Sequence, residues 1–231
     1  MGKVTGTASN LLRRIIGFAS AALVSGVMIP SPSIAEEIVV VGNFSAGSLM
    51  DWMEKVFKDN TRYEIVDSSV GRVLKADSRA SASGLFREIE IDLTKTPCLN
   101  WSWKVDGILE GLDETTKNGD DYPARVYVVF SGGLFFWKTR ALNYVWSNAR
   151  PKGSAWPNAY TDRSVIIAAE SGPDNIGQWV HHSRNIRDDY KRLVGEDITT
   201  VDAVAIMTDT DGSERVASAY YGDVRFTSSC N

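Results

Sequence analysis

Leu99-Asn100-Trp101-Ser102-Trp103-Lys104-Val105 alternates apolar and polar residues without a break. Successive side chains of a strand point to opposite faces, so this pattern describes a strand with one buried face. Leu99, Trp101, Trp103 and Val105 share the buried face; Asn100, Ser102 and Lys104 share the other. The flanking sequence repeats the pattern. In Gly84 to Leu93, Leu85, Arg87, Ile89 and Ile91 interleave with Phe86, Glu88, Glu90 and Asp92. Arg125 and Tyr127 lie opposite Val126, Val128 and Phe130. In Ala141 to Trp146, Asn143 lies opposite Leu142 and Tyr144. Further β-rich runs occupy Glu37 to Phe44, Arg62 to Val66, Arg72 to Ala76, Ser164 to Ala169, Val201 to Met207 and Ser218 to Phe226. Many short strands separated by turn residues predict an all-β chain, an antiparallel β-sandwich or barrel. One or two short helices are expected. Leu49 to Phe57 is one candidate; Arg187 to Val194, with Gly195 as its stop, is the other. No βαβ rhythm, glycine-rich phosphate loop or internal repeat is present, which argues against nucleotide-binding folds.

The chain has 231 residues, 43% hydrophobic and 23% charged, with a net charge of −4. Those values describe a globular protein and exclude collagen-like, coiled-coil and disordered classes. The acidic balance argues against nucleic acid as a partner. The N-terminus carries Lys3, Arg13 and Arg14, an uncharged apolar run from Ile15 to Ile29, and small residues in Ser33-Ile34-Ala35. That order describes a secretory signal peptide over residues 1–35, followed by one domain over 36–231. The apolar run is shorter than a membrane span, and no later stretch is long and apolar enough to replace it. A soluble periplasmic or secreted protein is expected. In an oxidising compartment Cys98 and Cys230 can bridge, tying down the C-terminal strand, or remain free thiols.

Two acidic stretches are candidates for chemistry. Asp113-Glu114-Thr115-Thr116-Lys117-Asn118-Gly119-Asp120-Asp121-Tyr122-Pro123-Ala124-Arg125 reads as a loop entering a strand. Its carboxylates can hold a hard cation, act as acid and base, or belong to a solvated loop in which Asp121 pairs with Arg125. Thr208-Asp209-Thr210-Asp211-Gly212-Ser213-Glu214 offers Asp209 and Asp211 to a structural calcium, or is a plain turn. It departs from the EF-hand spacing. Adjacent His181 and His182 would point to opposite faces of a strand, which argues against joint metal binding.

Sugars stack their C–H faces on aromatic rings and present hydroxyls to Asp, Asn, Arg and Lys. Lys104, Arg125, Tyr127 and Asn143 are candidates to line one polar sheet face, and Trp146, beside a loop rich in Asn, Pro, Gly and Ser, is a candidate to stack on a sugar. Trp156 and Tyr160 border the same loop. Trp101 and Trp103 are assigned to the core; Trp137 fits either core or exposed patch.

Taken together, Leu99–Val105, Lys117–Phe130, Ala141–Trp146, Trp179 with Arg184-Asn185, Met207–Asp211 and Ala219–Phe226 resemble a bacterial secreted family catalogued as domain of unknown function 3047. The resemblance runs from about Phe44 to Phe226. It implies an exported single-domain protein and leaves the chemistry open. The closing strand, Tyr221-Gly222-Asp223-Val224-Arg225-Phe226, is similar in style to the last strand of jelly-roll, galactose-binding-like modules. Three functions follow as expectations: a non-catalytic module for a glycan or other polar ligand, a glycoside-cleaving enzyme using Asp121, Asp209 or Asp223 as paired carboxylates, or a structural or protein-interaction role in the envelope.

Overall fold

The computed structural model describes residues 36–131 and 139–230. The expected signal peptide and Trp137 lie outside the described residues. The described strands, numbered in chain order, form two sheets packed face to face.

Sheet A contains β1 (Ile38–Gly42), β3 (Arg62–Ser68), β4 (Gly71–Arg79), β6 (Cys98–Val105), β11 (Val180–Asn185), β13 (Val216–Tyr221) and β14 (Val224–Thr227). Its hydrogen-bonded order is β1-β14-β6-β13-β4-β3, with β11 on the other edge of β6. The alternating Leu99–Val105 strand is therefore central. One edge pairs with β11 along residues 98–103, and the other pairs first with β14 and then with β13. Its apolar set faces inward: Leu99, Trp101, Trp103 and Val105 are all buried in the main core.

Sheet B contains β2 (Met53–Lys58), β5 (Ala82–Asp92), β7 (Arg125–Phe130), β8 (Arg140–Ser147), β9 (Ala155–Pro157), β10 (Ser164–Ser171) and β12 (Thr200–Asp209). Its order is β2-β5-β12-β7-β8-β10-β9. The pairing is antiparallel except between β8 and β10, which run parallel. Its inner face supplies Val126, Val128, Phe130, Leu142, Tyr144, Trp146, Ile167, Val204 and Ile206 to the core.

The C-terminal helix, α1 (Ile186–Val194), starts at Asn185, whose side chain accepts the Asp188 amide. It stops at Gly195, at φ +83°, a left-handed conformation that glycine adopts without a Cβ penalty. Leu49 to Phe57, in contrast, forms no helix. Its second half is β2, which hydrogen-bonds to the edge of β5. Leu49 and Trp52 pack on the core, while Met53, Val56 and Phe57 are exposed. Pairing with an open sheet edge outweighs the helical spacing of those apolar residues. Strand β11 escapes the alternation rule because its sequence is polar. Its inward residue, His182, stacks on Trp101 with ring centres 4.8 Å apart. Cys98 and Cys230 form a disulfide that ties the tail beyond β14 to the start of β6.

Candidate functional site

The outer face of sheet B collects the polar residues. Register places Met53, Phe86, Ala205, Tyr127, Asn143 and Ile166 in one row across six strands. The next row is Lys55, Gly84, Met207, Arg125, Val145 and Ala168. Loops close this face at the Arg125 end. Tyr122, Val145, Trp156, Ile166 and Ala168 form a small second apolar cluster there.

At the closed end Arg125 and Asp209 answer each other. Arg125, 2% exposed, donates from Nε to Asp209 Oδ1 at 2.8 Å and from Nη2 to Asp209 Oδ2 at 2.7 Å. It also donates to the Asp120 carbonyl and, at 2.8 Å, to the Tyr127 hydroxyl, and its guanidinium lies 4.3 Å from the Tyr122 ring centre. Burial pushes the Asp209 carboxyl up and Arg125 pulls it down. The guanidinium keeps its proton, and the two-pronged pair with a further amide from Tyr122 is the geometry of a carboxylate held ionised. Burial likewise pushes the Tyr127 phenol up to about 12, so it remains a neutral donor.

The acidic loop is solvated only at Asp113 and from Thr115 to Asn118, whereas Glu114, Asp120 and Asp121 are buried, and Asp121 is not the partner of Arg125. Asp121 accepts the amides of Gly212 at 3.2 Å and Ser213 at 2.6 Å, pinning one acidic stretch to the other. Glu114 is buried and accepts from Ser147 Oγ and the Asn148 amide. Asn158 donates to Asp120 at 2.9 Å. Long-range bonds thus replace the water that a loop of this composition ordinarily binds.

Oxygens of Asp121, Asp209 and Asp211 lie within 4.8 Å of one another, a spacing that a calcium ion accepts. Both Asp209 oxygens are already held by Arg125, and both Asp121 oxygens by backbone amides. A cation there has to share those oxygens and stand beside a guanidinium.

The middle of the face is the reverse. Asn143 is fully buried, and among the described residues neither its Oδ1 nor its Nδ2 has a hydrogen-bond partner. Ser164 stands on the adjacent strand of the same face, opposite Ala141, and its buried hydroxyl is also unpaired. Tyr127, Phe86, Val129, Ala141 and Ala203, on the same outer face, are half-buried. Sequence alternation identified Asn143, and no pattern singled out Ser164, because its significance lies in the register with β8.

The remaining candidates are dispersed. Trp146 is 0% exposed and lies in the inner core, 6.2 Å from the Trp103 ring, so no sugar can stack on it. Its Nε1 donates to the Gly172 carbonyl. Trp156 is buried in the second cluster, while Tyr160 is exposed. Lys104 is on sheet A, with its ammonium 4.0 Å from the Tyr220 ring centre. Asp223 is also on the sheet A side, at the join of β13 and β14 and bonded to Ser45, so the three candidate carboxylates do not share one cleft.

Among solved structures, the family 30 carbohydrate-binding module of the cellulosomal cellulase Cel9D-Cel44B of Clostridium thermocellum is similar. It has a TM-score of 0.50 and 12% identity, over 84% of this chain and 99% of that one. The family 11 module of cellulase Lic26A-Cel5E, also of Clostridium thermocellum, has a TM-score of 0.48 and 10% identity, over 84% and 95%. A thermostable cellulase derived from Cel12A of Rhodothermus marinus has a TM-score of 0.46 and 12% identity, over 84% and 100%. At such identities the likeness speaks to fold alone. The architecture is the jelly-roll-type β-sandwich of such modules. No curated protein matches the sequence. The profile of the family described as "Protein of unknown function (DUF3047)" matches residues 50–225, so the chain belongs to that family.

Proposed function

We propose that this protein is a non-catalytic carbohydrate-binding module of the cell envelope, and that its glycan lies across the outer face of sheet B. The observation that carries this reading is the unpaired Asn143 amide. A buried polar group without a partner costs about 1–3 kcal/mol, so such groups are rare and call for a reason. An amide presents one donor and one acceptor side by side, which matches neighbouring hydroxyls of a sugar ring. Phe86 and Tyr127 flank the same row, separated by the small Ala205. Two strand spacings set them about 10 Å apart, close to the length of a disaccharide. Asn143 has no exposed surface, so a ligand reaches it only when side chains on this face shift.

The solved modules with this fold support the reading by analogy; one was solved in complex with a β-1,3-1,4-mixed-linked tetrasaccharide. Export to the periplasm or beyond is supported by the signal-like N-terminus and by a disulfide, which persists in oxidising compartments. Among the described residues no helix is long and apolar enough to cross a membrane. A glycoside-cleaving role is less well supported, because Asp121 and Asp209 are closed off by their own partners.

The test is binding of the purified protein to an array of neutral glycans, repeated with Asn143→Leu and Tyr127→Phe. The reading expects hits that Asn143→Leu abolishes. Hits unaffected by Asn143→Leu would place the glycan elsewhere, and a blank array would favour a protein-interaction or structural role.

A further inference from the structure

We propose that a cleft on the outer face of sheet A is a second binding site, for a carboxylate-bearing sugar of the hexuronate class. It does not depend on the reading of sheet B. The cleft has a volume of about 340 Å³, at the small end of the range for ligand sites. Its polar lining is Asn100, Ser102, His181, Ser183, Asp223 and Arg225.

Strand register builds it. Ser183, Asn100 and Arg225 form one row across β11, β6 and β14; His181 and Ser102 form the next. The Gly222 amide donates to the Ser102 carbonyl at 2.9 Å, continuing that second row into the break between β13 and β14. A Cβ on Gly222 would sit 2.2 Å from Ser102 Oγ, so only glycine lets the serine hydroxyl occupy this place. The break sets Asp223 on the cleft. Ser45 fixes its carboxylate, donating from its amide at 2.8 Å and its hydroxyl at 2.6 Å. Asn100 Nδ2 is committed to the Cys98 carbonyl and Thr227 Oγ1, leaving its Oδ1 as an acceptor.

What remains unused gives the ligand chemistry. Among the described residues Arg225 has no carboxylate or other hydrogen-bond partner, although Asp223 is two residues away. The Ser183 hydroxyl is buried and unpaired. A guanidinium fork fits a carboxylate in two-pronged fashion. A fixed Asp223 repels a bare anion but accepts hydroxyl donors. One ligand bearing a carboxylate and several hydroxyls satisfies both. Neutral glycans lack the group for Arg225, and simple carboxylates lack the donors for Asp223. The Trp101 ring is packed on the core side, so recognition here is polar rather than by stacking.

The experiment is calorimetric titration of the full chain with galacturonate, trigalacturonate, galactose, acetate and alanine. Saturable galacturonate binding is expected, with galactose, acetate and alanine at least tenfold weaker. Trigalacturonate binding as well as the monomer indicates that a chain end or internal unit is read; monomer alone indicates a free sugar acid, and either supports the site. Arg225→Gln and Ser183→Ala should each weaken galacturonate at least fivefold without lowering the thermal midpoint, while Asn143→Leu leaves galacturonate binding intact. No saturable galacturonate binding, acetate or alanine binding as tight as galacturonate, or an unaffected Arg225→Gln would overturn the proposal.

Discussion

Arg125 and Asn143 stand on neighbouring strands of one sheet face, and both are closed off from solvent. Arg125 spends its guanidinium on Asp209, Asp120 and Tyr127. Asn143 makes no side-chain hydrogen bond. The same burial therefore has two meanings. At the closed end, polar side chains hold two loops against the sheet, and their chemistry is consumed in doing so. In the middle, an amide and a hydroxyl are desolvated with nothing returned. The second arrangement leaves a whole amide, donor and acceptor together, with binding capacity unused. A buried carboxylate such as Asp209 is an attractive catalytic candidate on burial alone, and its saturated partners argue for a structural role.

The contrast predicts opposite signs for mutations a few ångströms apart. Arg125→Ala leaves the Asp209 charge buried and alone, so a loss of about 3–5 kcal/mol is expected in denaturant unfolding. Adding Asp209→Leu to an Arg125→Met variant should restore much of that loss; a double variant no better than the single one would break the pairing argument.

His182 sharpens the comparison, since its Nε2 is another buried atom without a partner. Here burial holds the imidazole pKa down to about 4, with Lys152, Arg184 and His181 adding to the effect and Glu170 opposing it. The unfolded chain takes up a proton near pH 6.5, and the folded one only near 4. Stability is therefore fully present above pH 6.5 and lost as pH falls towards 4, by on the order of 3 kcal/mol. Thermal midpoints across that window should fall, and His182→Phe, which keeps the stack on Trp101, should flatten the slope. An unchanged slope would assign the acid sensitivity to other groups.

Asn143→Leu has the opposite sign. Removing an unsatisfied amide while keeping the volume should raise stability by about 1–2 kcal/mol, read as a higher thermal midpoint. Ser164→Ala should show the smallest effect, a gain of at most about 1 kcal/mol. A loss at both positions would mean that their polar groups are satisfied in solution.

How much of this was legible before the structure depended on the range of the interaction. Alternation over Leu99–Val105 put both tryptophans in the core, and alternation over β7 and β8 put Arg125, Tyr127 and Asn143 on outward faces. The same rule applied to Leu142, Tyr144 and Trp146 assigns Trp146 to the core; reading it instead from its neighbouring loop made it a ligand candidate. Lys104 and Arg125 read alike in sequence because outwardness is local, whereas membership of one sheet or the other is not. The Arg125–Asp209 pair spans 84 residues and Asp121–Ser213 spans 92, so no local pattern joins them. Strand β11 was hidden because its buried surface is an imidazole on an indole rather than an aliphatic row. Ser164 gained its meaning only from the parallel register with β8.

The most direct test of the account combines two readouts on one variant: neutral-glycan binding and thermal midpoint for wild type and Asn143→Leu. The account predicts that Asn143→Leu melts higher than wild type and no longer binds. A variant that melts lower, or that binds as wild type does, contradicts it.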